Sequence, residues 1–174
     1  MITKAIKAAW QRQSERRQDY TYWLVDCHQT ILRNNYGGIA REFYPYANDC
    51  LKILSAAPDV KLILWTCSTP ADIEVYLEYF KGFGINFDYV NENPEVQDGF
   101  GDYSKKLYSS VLMDDKAGFD GETDWRPILD LLISRYITNE ALLPCEFCGG
   151  DRWTGHQRLC EVYGDYFKKL PSDY

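Results

Sequence analysis

Two runs, YTYWLVDC at 20–27 and VKLILWTCS at 60–68, constrain the chain most. Each is apolar at nearly every position and rich in aromatic and β-branched side chains, the pattern of a strand buried on both faces. A helical pattern comes after each of them. IAREFYPYANDCLKILSAA (39–57) reads as largely helical, with Leu51 and Leu54 on its inner side and Pro45 in its first half. PADIEVYLEYFKGFG (70–84) has proline in its first turn and glycines at its end, a helix with both boundaries marked. INFDYV (85–90) and SSVLMDD (109–115) are strand-like, and WRPILDLLISRY (125–136) is again helical. Strands alternating with helices predict an α/β fold, a doubly wound three-layer sandwich built on a parallel sheet.

Flanking segments differ in character. Residues 1–17 carry five bases and one acid, so the acidic excess behind the net charge of -7 lies wholly in the rest of the chain. Ile2, Ile6 and Trp10 recur at helical spacing, which predicts a short amphipathic helix packed by one face, within an N-terminal segment 1–19. No stretch there matches the apolar core of a signal peptide, and none elsewhere is long and apolar enough to span a membrane, so a cytoplasmic location is expected. The α/β domain is expected over 20–140, and a cysteine-rich tail begins at 141.

In that tail Cys145 and Cys148 form Cys-x2-Cys, and His156 and Cys160 form His-x3-Cys. Three thiolates and one imidazole make a complete tetrahedral set, with the spacing of structural zinc sites, and leave no position open for catalysis. Disulfide pairing or four unrelated residues are the alternatives, the first of which reducing conditions disfavour. Zinc modules often bind nucleic acid, but residues 141–174 hold four bases against five acids and the body is acidic, so charge disfavours that partner. Cys27, Cys50 and Cys67 lie in or beside apolar runs and are expected as buried core thiols.

Ligands of open α/β sheets bind at the carboxyl ends of the strands. Polar groups gather there: Asp26, His28 and Thr30 after the first strand, Thr66 and Ser68 after the second, Asp114 and Asp115 after SSVLM. Carboxylates opposite a hydroxyl and a lysine suit phosphoryl transfer, with one carboxylate as nucleophile and others holding a divalent cation.

On these residues the chain resembles the haloacid dehalogenase-like hydrolases. Their first motif, a strand running into Asp-x-Asp-x-Thr, is matched by WLVDCHQTI; their second, a strand ending in Ser or Thr, by LILWTCS; their lysine and acidic pair by KKLYSSVLMDD. The resemblance covers about residues 20–138. It implies Asp26 as nucleophile, Thr66 and Lys106 (with Lys105 as the fallback) as the groups that steady phosphate, and Mg²⁺ held by Asp26, the backbone of His28, Asp114 and Asp115. It implies a phosphomonoester hydrolase whose substrate is a small phosphoester, a nucleotide among the candidates. No separate cap domain fits the spacing. Capless members act on large substrates or borrow a lid from another subunit, which leaves a homo-oligomer open, while NYGG (35–38) and REFYPY (41–46) could cover a small substrate.

One departure matters, for His28 stands where the family places a second aspartate that serves the leaving group as acid and then base. Histidine suits such a shuttle near neutrality. The alternatives are a different reaction, or a non-catalytic interaction protein that uses the tail and the basic arm as contact surfaces.

Overall fold

A computed structural model describes residues 2–96, 101–103 and 105–137. The elements run α1 (Ile2–Arg16), β1 (Thr21–Asp26), α2 (Ala47–Ala56), β2 (Val60–Trp65), α3 (Pro70–Gly82), β3 (Tyr89–Val90), β4 (Val111–Met113), a 3₁₀ turn (Asp115–Ala117) and α4 (Trp125–Tyr136). The four strands form one parallel sheet in the order β3-β2-β1-β4, an arrangement consistent with a Rossmann-like α/β fold. The proposed zinc ligands Cys145, Cys148, His156 and Cys160 lie outside the described residues.

Alternation along the strands divides the sheet into two unequal faces. Trp23 and Val25 of β1, Leu62 and Leu64 of β2, and Val111 and Met113 of β4 point into the main core. There they meet Ile6 of α1, Leu51 and Leu54 of α2, Phe80 of α3, and Ile128 and Leu132 of α4. Each such side chain, fully buried, contributes roughly 1.5–3 kcal/mol. The opposite face carries Tyr22, Leu24 and Ile63, packed against Val96, Leu107 and Tyr108 of the β3–β4 connection. No residue of the four helices joins that second cluster. Among the described residues, a loop therefore stands where the expected sandwich would place a third, helical layer. The physical reason lies in the sequence between β3 and β4, which has Pro94 near its start and no 3.6-residue apolar period.

Two helices follow their sequence signals closely. In α3, Thr69 is the N-cap, its side chain accepting from the Asp72 N–H at 3.3 Å, and Pro70 fills the first turn. In α4 the buried residues Trp125, Ile128, Leu129, Leu132 and Tyr136 recur at helical spacing. The helix expected over 39–57 is shorter, Ala47–Ala56, because Pro45 biases the residue before it away from helical backbone and Tyr46 turns left-handed at φ 65°. Residues 31–44 instead double back, Leu32 bridging Phe43 and the Tyr44 N–H donating to the Ile31 carbonyl at 3.0 Å.

At the amino end of the sheet, Asp59 ties three elements together. Its carboxylate accepts from Arg135 Nη2 at 2.7 Å and from the Tyr136 hydroxyl at 2.8 Å. Its carbonyl accepts from the Thr21 N–H at 2.9 Å and from Gln13 of α1. Arg135 also lies 4.6 Å from the centre of the Trp10 ring.

Candidate functional site

The carboxyl ends of β1, β2 and β4 open into a cleft lined by Asp26, His28, Thr66, Asp114 and Asp115, with Gln29, Trp65, Cys67 and Lys116 beside them. Asp26, Asp114 and Asp115 each offer a carboxylate oxygen, and these oxygens lie within 4.8 Å of one another. β1 brings Asp26 there because it is the last residue of the strand, and β4, paired alongside with Val25 against Met113, brings the acidic pair.

Thr30 joins the two. Its hydroxyl hydrogen-bonds to Asp26 and accepts from the Asp115 N–H at 3.1 Å, while its carbonyl accepts from the Trp125 indole at 2.8 Å. The Asp114 side chain caps the 3₁₀ turn by accepting from the Lys116 N–H at 2.7 Å, and Gly118, at φ 91°, closes the turn in a conformation that favours glycine.

Thr66 is 8% exposed and held by Asn91, whose side chain accepts from the Thr66 N–H at 2.8 Å and donates to its carbonyl at 2.7 Å. The Thr66 hydroxyl contacts that of Ser68 at 2.9 Å. His28 is half-buried, its Nε2 2.8 Å from the Tyr76 hydroxyl and its ring edge-on to the tyrosine. Burial holds its pKa below the ordinary histidine value, against a smaller upward pull from Asp72.

Burial is also the main reason the Asp26 carboxyl is pushed up to about 6; Asp114 and Asp115 add to the rise, and the Cys27 backbone and Thr30 oppose it. A buried carboxylate crowded by two others favours a cation in their midst, and an all-oxygen donor set is of the kind that takes Mg²⁺. Lys116 pairs with Asp115 from the exposed side of the cluster.

Several residues depart from expectation. Lys105 and Lys106 are exposed and do not line the cleft; the lysine that does is Lys116. Cys67, expected as a core thiol, is exposed in the cleft because β2 ends at Trp65, leaving Cys67 in the loop beyond the buried run. Cys27 and Cys50 are buried. Asn91, Lys116 and Tyr76 went unpredicted; the one local signal was asparagine just past a strand, where it tolerates the left-handed φ of 54° seen here.

Fold and site together describe an α/β protein with an acidic cleft at its strand ends. Over 66% of its length the chain is similar to the solved structure of a conserved protein from Bacteroides thetaiotaomicron, at 26% identity and a TM-score of 0.52, spanning 91% of that protein. No protein-family model and no curated protein matches the chain. No helix among the described residues is long and apolar enough to cross a membrane.

Proposed function

We propose that this protein is a Mg²⁺-dependent phosphomonoester hydrolase of the haloacid dehalogenase-like type. The observation that carries the reading is the meeting of Asp26, Asp114 and Asp115 within 4.8 Å at the strand ends, with the Thr66 hydroxyl in the same cleft. When bound, Mg²⁺ would be held by the three carboxylates and would supply neutralisation of the phosphate charge.

The Asp26 carboxylate attacks phosphorus, and the bond to the ester oxygen breaks, its electron pair leaving with the alcohol, which takes up a proton from water. Water cleaves the aspartyl-phosphate, releasing inorganic phosphate and restoring Asp26. Thr66, fixed by Asn91, donates to a non-bridging oxygen, and Lys116 is the cation at the mouth that can reach the same group. His28 stands where the resemblance puts the residue that serves the ester oxygen. On this reading the sheet is the core of the doubly wound haloacid dehalogenase-like fold, and Cys145, Cys148, His156 and Cys160 form a structural zinc module. Stoichiometric zinc in purified protein supports that module, and zinc-free protein removes it.

The test is phosphate release from a panel of phosphorylated metabolites with Mg²⁺, in the wild type and in Asp26→Asn. Release by the wild type alone supports the reading; equal release by the variant overturns the role of Asp26. A second reading, a non-catalytic relative, is favoured by the engagement of His28 Nε2 with Tyr76. Activity that appears only in His28→Asp would decide for it.

A further inference from the structure

The Tyr76 hydroxyl is 2% exposed as part of its residue and makes two hydrogen-bonding contacts: the Ala40 N–H donates to it at 3.2 Å, and His28 Nε2 lies 2.8 Å away. A backbone N–H can only donate, so towards Ala40 the tyrosine oxygen is an acceptor. Its single proton needs a partner, because an unsatisfied hydroxyl at such depth costs roughly 1–3 kcal/mol. The only acceptor it contacts among the described residues is His28 Nε2. That nitrogen must then be unprotonated, and in a neutral imidazole the proton moves to Nδ1. His28 lines the cleft, and its Nδ1 makes no hydrogen bond to another described residue.

We propose that Tyr76 is a positioning residue that locks His28 in the Nδ1–H tautomer, so that His28 meets the bound phosphoester as a hydrogen-bond donor. This deepens the phosphatase reading and rests on it for the identity of the ligand. A ring so held donates to an ester or phosphoryl oxygen but has no free lone pair in the cleft with which to take a proton from water. It differs in this from the carboxylate that the resemblance expects at position 28, which both gives and takes. The chain Ala40–Tyr76–His28 also spans three parts of the molecule: the doubled-back segment, α3 and the end of β1.

Nitrogen NMR of uniformly ¹⁵N-labelled full-length protein, at a pH where His28 is neutral and without substrate, reads the tautomer directly. Loss of one ring system in His28→Asn separates its signals from those of His156. The expected result is a protonated Nδ1 and a bare Nε2 in the wild type, shifting towards the Nε2–H form in Tyr76→Phe, which keeps the ring and removes the proton donor. A wild type with the proton on Nε2 overturns the proposal. So does a folded Tyr76→Phe with an unchanged tautomer. Should that variant fail to fold, the wild-type spectrum decides alone. Because no turnover is needed, the expected tautomer in a protein that hydrolyses no phosphoester would break the functional reading and leave the Tyr76 lock standing.

Discussion

The two ends of the sheet treat carboxylates in opposite ways. At the amino end, Asp59 has a guanidinium at 2.7 Å and a phenol at 2.8 Å, and it joins α1, β1 and α4. At the carboxyl end three carboxylates crowd within 4.8 Å with one exposed lysine for company, and burial raises Asp26 to about 6. Asp59 is satisfied and holds the fold together; Asp26, buried beside two other carboxylates, is costly to ionise. Self-repulsion that persists at one end of a fold, while the other end pairs its charges, points to where a ligand is meant to sit.

The sharpest way to break this contrast is Asp26→Asn. If the carboxyl end is the reacting end, Mg²⁺-dependent phosphate release falls by at least roughly a thousand-fold while the circular dichroism spectrum is unchanged. At the amino end the disturbance should appear in stability instead, and be smaller. Arg135→Ala strips Asp59 of its counter-ion and Trp10 of a covering cation, and urea unfolding should show a loss of about 2 kcal/mol. A loss no greater than that of an exposed ion pair would mean that the latch does little.

Asp26 supplies a third probe, with the opposite sign. Its carboxyl sits at about 6 in the folded chain against an ordinary value of 3.8, so the folded state binds the proton more tightly than the unfolded one. Cation-free protein should therefore lose stability as pH rises from about 4 through 6 and keep that loss above. The cleft is partly open to solvent, so the loss is discounted to roughly 1–2 kcal/mol. Asp26→Asn should recover it near pH 7 and gain nothing near pH 4, and Mg²⁺ should recover it in the wild type. Thermal melts across that range check both. The smallest effect belongs to Lys116→Ala, which removes a competing positive charge: calorimetry should show Mg²⁺ binding tightened by a few-fold at most, with the difference fading at high salt.

Much of this contrast was legible in the residues. Asp26, Asp114 and Asp115 stood out because each follows a buried apolar run, and parallel strands deliver their last residues to one edge. The helices α3 and α4 were legible through proline, cap and apolar period. What escaped depends on contacts between distant segments. Residues 39–46 have the apolar content of a helix, but Pro45 and the pairing of Leu32 with Phe43 keep them out of helical backbone. Cys67 read as core because sequence alone does not mark Trp65 as the end of β2. Asn91 and Tyr76 act through partners 25 and 48 positions away, a separation that no local pattern encodes. That no described helix covers the second face of the sheet escaped for the same reason.

Thr30 has a consequence of its own. One buried hydroxyl reaches Asp26 and the backbone of Asp115, and the adjoining carbonyl holds the indole that begins α4. Any spreading of the acid cluster must therefore tug on Trp125, and through it on the whole length of the last described helix. Trp125 is in this sense a built-in strain gauge, an emitting ring wired to the cluster by two hydrogen bonds through the single residue Thr30.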